Sequence, residues 1–332
     1  MNVTYFYTDD WEKKYAQDCL SGKGVTFVPG IINDCARLDV KTQLLSVFLD
    51  SQITSDILQR LPELKCIVTR STGFNHIDMQ VAKARGITVC NVPAYGTYAV
   101  AEYTFALMLN LSRRIREGCQ RLCEGNFSSH DLTGTDLRGK TLGIIGLGNI
   151  GMRVATVATC FGMKVLAYDI HVDQTMAKKM GFSYVSLDAL LAQSDVITLH
   201  VTYNQKTHHL INRDTIKKCK RGAYLINTAR GPVVETEALV EALDDKILTG
   251  VGLDVFEEEW LLAHPVQAVL DKKVSAEALR HIAAVRYLVN HPRVIVTPHN
   301  AFNSLQARQQ CLDVAIQNIQ AFIDGKGANV VS

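Results

Sequence analysis

Gly146-Leu147-Gly148-Asn149-Ile150-Gly151 lies near the middle of this 332-residue chain, and its surroundings constrain the fold more than the motif itself does. It follows the apolar run 141–145 and opens the helix-compatible stretch 150–161. A second apolar run, 164–168, then leads into Asp169. Strand, glycine turn, helix, strand and acid, in that order, make a dinucleotide-binding unit. Gly146 allows the tight turn, Gly148 lets backbone approach a pyrophosphate, and Gly151 lets the helix pack on the strand. The pyrophosphate belongs at the helix N-terminus, where unpaired N–H groups and the helix dipole favour anions. Asp169 suits a ribose hydroxyl and repels a 2′-phosphate, and no Arg follows it directly, so NAD is expected rather than NADP. Because this unit begins so late, a separate domain must precede it.

The length allows two domains, each with its own core. Composition is that of a soluble globular protein, with 47% hydrophobic and 20% charged residues. A net charge of +2 without a basic block gives no reason to expect nucleic acid or an anionic membrane surface as a partner. No apolar run has the length of a membrane-spanning helix, and the first ten residues read as a strand followed by acids. A cytoplasmic location is therefore expected. Nine cysteines are scattered without a C-x-x-C pair and read as reduced, small hydrophobes. No metal is expected, and the adjacent His208 and His209 read as non-catalytic.

Before the glycine motif, apolar runs at 3–7, 25–28, 44–48, 66–69 and 87–90 alternate with polar, helix-compatible stretches. From the motif onward the alternation repeats, with runs at 142–145, 165–168, 196–199, 224–226, 251–253 and 294–296. Such alternation implies α/β architecture, parallel sheets with helices on their faces. Six strands match a complete dinucleotide-binding domain. Residues 99–111 are nearly apolar all round, so a helix there must be buried on every side, between domains or against a second subunit. Residues 304–324 read as an amphipathic helix that could return to cover the first domain. Two crossings between domains give the wiring of a hinge.

Three segments downstream each end a strand with polar or charged residues: 227–231 with Arg230, 252–259 with Asp254 and Glu259, and 297–301 with His299. In a doubly wound fold, loops at the carboxyl ends of strands face the ligand cleft. Together the three supply a fixed cation, carboxylates and an imidazole. Those are the types needed to reduce a 2-keto acid: a cation to bind its carboxylate and polarise its carbonyl, an acid to protonate the alkoxide, and a carboxylate to keep that acid charged. Glu257 and Glu258 read as a solvated charge run.

At this point the chain resembles the D-isomer-specific 2-hydroxyacid dehydrogenases, and the D-lactate dehydrogenase branch most. The resemblance rests on Arg70-Ser71-Thr72-Gly73-Phe74-Asn75-His76-Ile77-Asp78, Asn91-Val92-Pro93-Ala94-Tyr95, Ala101-Glu102, the glycine motif and the three segments above. It implies two doubly wound parallel-sheet domains, a Rossmann NAD-binding domain at 97–299 inserted in a flavodoxin-like substrate domain at 1–96 and 300–332. It implies NAD-dependent reduction of pyruvate to D-lactate, with Arg230 binding substrate, His299 giving the proton and Glu259 pairing with His299. Asn149, Ile150, Val201, Thr202, Thr207, Thr228, Ala229 and Asp254 are the further expected coenzyme contacts. Thr72, Gly73, Phe74, Tyr95 and Phe302 join Arg230 as expected substrate contacts, and a homodimer through the coenzyme domain is implied. Thr202 stands where many members carry proline, Asn300 where an apolar residue is frequent, and the stretch 260–292 is longer than usual, with 275–290 helix-like. Glyoxylate or hydroxypyruvate reduction, a bulkier 2-keto acid, and an NAD-sensing corepressor of the C-terminal-binding-protein type are the alternatives.

Overall fold

The computed structural model describes residues 1–259 and 275–331. Two compact units emerge, Met1–Tyr95 with Ser304–Ser332, and Gly96–Asn303 inserted between those two stretches.

Five strands of the first unit, β1 (Val3–Tyr7), β2 (Val25–Pro29), β3 (Leu44–Val47), β4 (Cys66–Thr69) and β5 (Thr88–Cys90), form a sheet in the order β2-β1-β3-β4-β5. All its pairings are parallel. Every residue of β3 and β4 is buried. Burial on both faces is what makes a parallel strand read as an unbroken apolar run instead of an alternating one. The order is that of a flavodoxin-like fold. The amphipathic C-terminal helix, Leu305–Ile323, starts at Ser304, whose hydroxyl accepts the Ala307 N–H, and packs over β4. Its buried Asn318 donates to the carbonyl of Asn91 at 2.8 Å.

The second unit holds β6 (Thr141–Ile145), β7 (Lys164–Tyr168), β8 (Ser183–Tyr184), β9 (Val196–Leu199), β10 (Ala223–Asn227), β11 (Leu248–Leu253) and β12 (Val294–Val296). They pair in the order β12-β11-β10-β9-β6-β7-β8, all parallel. This is a Rossmann sheet with seven strands where six were expected. The addition is β8, whose two residues have no apolar run to betray them. Strand order reverses between β6 and β9, and the glycine motif follows β6, so it opens at the switch point where such sheets bind ligands.

Apolar cores cover both faces of this sheet. One includes the helix Thr97–Ser112, which packs on the helix Asn149–Cys160 and on β10 and β11. The expectation that this helix is buried all round needs correction for the single chain. Val100, Ala101, Thr104, Phe105, Leu107, Met108 and Leu111 are buried, but Tyr98, Glu102 and Ala106 face solvent. Within the long insertion, a helix spans Ala276–Asn290, close to the stretch expected to be helical. Residues 260–274 lie outside the described residues. No helix among the described residues is long and apolar enough to cross a membrane.

Candidate active site

The glycine loop has the shape a dinucleotide requires. Gly146 is left-handed, with φ of 95°, and a Cβ there would stand 2.8 Å from the backbone of His200 and Val201. At Gly151 a Cβ would stand 2.0 Å from the Gly146 carbonyl. Gly148 is the opposite case: a Cβ would meet nothing within 4 Å, which leaves room beside the helix Asn149–Cys160 for a phosphate to approach. Asn149 is exposed and Ile150 half-buried in the first turn. Asp169 follows β7 directly and is half-buried, and its carboxylate accepts the Leu147 N–H at 2.5 Å and the His171 N–H at 2.9 Å. It therefore also braces the glycine loop. These residues fit NAD: two glycines removed for packing, one opened toward the ligand, and an acid at the second strand.

Of the other expected coenzyme contacts, Val201 lies against Gly146 and Thr202 is exposed. Thr207 uses its hydroxyl within its own loop, donating to the Thr202 carbonyl at 2.8 Å. Thr228 and Ala229 are buried, the Thr228 hydroxyl 3.1 Å from that of Thr104 in the helix Thr97–Ser112.

Arg230, Asp254, Glu259 and His299 come from the loops after β10, β11 and β12. Those strands are neighbours, and their last residues are in register, Asn227 beside Leu253 and Leu253 beside Val296. Their loops therefore leave the sheet at one level. His299 Nδ1 lies 3.0 Å from Glu259 Oε2, and Glu259 Oε1 accepts the Phe256 N–H at 3.1 Å. His299 itself is left-handed, with φ of 50°, a conformation costing about 1 kcal/mol or more for a residue with a Cβ. Asp254 holds it there. Its carboxylate, in a residue only 1% exposed, accepts from the Thr297 hydroxyl at 2.6 Å and from the Asn300 and Ala301 N–H groups at 2.8 Å. Its carbonyl accepts the His299 N–H at 2.8 Å. Burial raises the Asp254 carboxyl above its ordinary value, and those three donors pull against it. Phe302 meets the His299 ring edge-on, with centroids 6.3 Å apart.

Asn227 shapes the bend that carries Arg230, donating to the Arg230 carbonyl at 3.1 Å and accepting the Ala229 N–H at 3.0 Å. Arg230 Nη1 donates to the Ala229 carbonyl at 2.6 Å. A Cβ on Gly231 would fall 1.7 Å from the Phe256 carbonyl oxygen, so the Arg230 bend and the Glu259 turn touch backbone to backbone. The three catalytic candidates thus share one packed platform.

Glu258 is exposed, as a solvated charge should be, but Glu257 is not. It is half-buried and accepts hydrogen bonds from His209 and Thr236. A charge with its own partners has no need of solvent, and this corrects the reading of Glu257 as a solvated residue. His209 is drawn into the same cluster, with His208 stacked on it at 3.9 Å. Ligand atoms of Glu237, Glu257 and His281 come within 4.8 Å of one another. No local pattern in the sequence marks any of this.

Within the first unit, Thr72, Gly73 and Phe74 follow β4 closely. The Thr72 hydroxyl donates to the Val92 carbonyl at 2.8 Å, Asn91 Nδ2 donates to the Thr72 carbonyl at 2.8 Å, and Ser71 Oγ donates to the Gly73 carbonyl at 2.7 Å. Phe74 packs on the apolar core of the unit, and Tyr95 is buried.

Residues 105–301, which include the glycine loop, Arg230, Glu259 and His299, match the family described as D-isomer specific 2-hydroxyacid dehydrogenase, NAD binding domain. The chain belongs to this family. It is an NAD-dependent oxidoreductase. Among solved D-2-hydroxyacid dehydrogenases, D-lactate dehydrogenase from Aquifex aeolicus, complexed with NAD and lactic acid, has a TM-score of 0.85 at 37% identity, covering 98% of this chain and 96% of that one. Glyoxylate reductase of Thermofilum pendens is 39% identical over 294 residues, 86% of this chain and 79% of the relative. D-Lactate dehydrogenase of Escherichia coli is 30% identical over 331 residues, 98% of each chain.

Proposed function

We propose that this D-2-hydroxyacid dehydrogenase reduces pyruvate to D-lactate, with Arg230, Glu259 and His299 as its catalytic groups. The hydrogen bond between His299 Nδ1 and Glu259 Oε2, beside the Arg230 bend, carries the reading. A carboxylate only accepts, so Nδ1 bears the hydrogen and Nε2 is left to act on substrate. Arg230 holds the substrate carboxylate through two parallel N–H donors and polarises the keto oxygen. When bound, NADH supplies the hydride to the keto carbon. His299 Nε2 gives its proton to that oxygen as the hydroxyl forms, and Glu259 balances the imidazolium charge before the transfer.

The first unit is the proposed substrate domain, with Thr72, Gly73, Phe74 and Tyr95 as its proposed substrate contacts; Phe302, beside His299 in the second unit, is a further proposed contact. Gly96–Asn303 is the proposed coenzyme domain, and the active form is a homodimer in the cytoplasm. Nine unpaired thiols fit a reducing compartment. Pyruvate is favoured by the likeness to D-lactate dehydrogenases over nearly the whole chain. Glyoxylate or hydroxypyruvate is the second reading, favoured by the glyoxylate reductase relative.

A panel of pyruvate, phenylpyruvate, hydroxypyruvate, oxaloacetate and glyoxylate with NADH, followed by chiral analysis of product, decides between them. Highest kcat/KM on pyruvate with D-lactate as product is expected; a clear preference for glyoxylate overturns the proposal. His299→Ala should lose about 10²- to 10⁴-fold in kcat. Glu259→Gln should lose pyruvate reduction at lower pH than the parent, because the charge beside the imidazole is gone. Overlaying pH profiles would remove Glu259 from its assigned role.

A further inference from the structure

The turn that carries Glu259 is anchored two residues earlier. Glu257 Oε1 accepts from His209 Nε2 at 2.6 Å. Oε2 accepts from the Thr236 N–H at 3.0 Å and from the Thr236 hydroxyl at 2.7 Å. The Glu257 carbonyl faces His281 Nε2 at 3.0 Å, and a carbonyl only accepts, so that nitrogen donates. His281 Nδ1 lies 4.0 Å from Oε2, and Glu237 also faces the carboxylate. Three donors already occupy the two oxygens, and the side chain is only 13% exposed. The carboxylate is therefore a hydrogen-bond hub, and one residue ties together the His209 loop, the start of the helix Thr236–Asp244 and the helix Ala276–Asn290.

What the hub holds is the platform of the candidate site. The peptide joining Phe256 and Glu257 is the surface against which Gly231 closes, directly after Arg230. The Phe256 N–H is the second partner of Glu259. Between them, Glu258 is left-handed, with φ of 48°, a conformation that persists in a non-glycine residue only where its surroundings over-determine it. An exposed side chain such as that of Glu258 does not do so. The anchors on Glu257 do.

We infer that Glu257 is a positioning residue: its anchored carboxylate fixes the turn that presents Glu259 to His299 and backs the bend that carries Arg230. The inference rests on the roles proposed above for those three residues. Glu257→Gln keeps the size of the side chain but exchanges one acceptor oxygen for a donor, so one of its anchors is lost. Displacement of a catalytic group by about 1 Å costs on the order of a hundredfold in rate, and a turn with one anchor lost moves by part of that.

The experiment is steady-state kinetics of pyruvate reduction across pH for Glu257→Gln, Glu259→Gln and the double variant, with NADH titration and thermal melts as checks of the fold. Glu257→Gln is expected to lower kcat about tenfold, leave the KM for NADH within about twofold, and bring the alkaline limb of the profile to lower pH. Added to Glu259→Gln, it should cost clearly less than its full tenfold, because the part that runs through Glu259 is already lost and only the part through the Arg230 bend remains. Parent-like kcat and profile overturn the inference, and so does a loss that multiplies in full with that of Glu259→Gln. Should Glu257→Gln fail to fold, Thr236→Val removes one hydroxyl donor and keeps the carboxylate; a smaller displacement in the same direction supports the inference, and none overturns it. A Glu259→Gln profile identical to the parent's overturns the pairing of Glu259 with His299 and this inference with it. A displaced Glu259→Gln profile beside an unmoved Glu257→Gln one overturns this inference alone.

Discussion

His76 and His200 each bury an Nδ1 that has no hydrogen-bond partner among the described residues. Burial lowers His76 to about 4 and His200 to about 3, so both are neutral in the folded protein near pH 7. An unfolded chain binds those protons near the ordinary histidine value of about 6.5. Between about pH 4 and that value the unfolded state therefore holds more protons. The stability tied to a neutral His76 is fully present above the window and is lost as pH falls through it. His76→Leu cannot be protonated, and Thr69 keeps its 2.6 Å hydrogen bond to Ser71. Urea melts at pH 7 and pH 4.5 should show the variant losing about 2 kcal/mol less than the parent over that interval. Equal losses would mean that His76 takes up its proton as readily in the fold as in the unfolded chain, against the burial argument. Legibility at this scale followed locality. Arg230, Glu259 and His299 each sit in a short motif at a strand end, and the paired geometry of Glu259 and His299 is present. Glu257 escaped because its partners lie 48, 21 and 24 residues away, beyond the reach of any local pattern. The sequence marks Asp254 as an acid at a strand end, but its grip on residues 297–301 depends on two strands ending in register.

Apolar runs revealed eleven of the twelve described strands, ten of them within a residue at either end, while β11 begins three residues before its run; a strand buried on both faces, such as β3 or β4, has nothing to alternate with. β8 escaped for the converse reason: a two-residue edge strand, one residue exposed and one half-buried, carries no run. Glycines at the element junctions were legible as types but not in their severity. Gly148 has φ of −69°, which alanine adopts without strain, and open space where a Cβ would go. Gly148→Ala should therefore fold within about 0.5 kcal/mol of the parent. It should bind NADH about tenfold more weakly, since the new methyl occupies the approach to the pyrophosphate. Gly231→Ala is the contrasting case. Its Cβ would fall 1.7 Å from the Phe256 oxygen, and no rotamer relieves a clash between backbones. A loss of more than about 3 kcal/mol is expected. Denaturant melts and NADH fluorescence titrations of both variants check this; weak folding of the first, or near-parent stability of the second, would contradict the geometry.

At the scale of the whole molecule, the open question is what covers the outer face of the helix Thr97–Ser112. Its sequence is apolar nearly all round, yet in the single chain Tyr98 is 60% exposed and Ala106 faces solvent, with Glu102 the one charge between them. Arg153 from the neighbouring helix lies over the Tyr98 ring at 4.6 Å, and Phe161 at that helix's end stacks on Phe105 while staying 39% exposed. Apolar side chains on two packed helices thus remain open on one side of the coenzyme unit, the kind of patch that marks an association site. A second copy of the same face is the proposed cover, because a two-fold axis lets one self-complementary patch serve both subunits. Symmetry sharpens the test: a charge placed near the axis appears twice and repels itself. Ala106→Glu sits on the exposed side of the helix, away from Val100, Phe105 and Leu107 in the core, so the subunit should still fold. Light scattering at micromolar concentration should give twice the 36.7 kDa chain mass for the parent and the single mass for Ala106→Glu. The melting temperature of the parent should rise with protein concentration while that of the variant does not. A parent that scatters as a monomer would sink the dimer; a variant that stays dimeric would move the interface to another face.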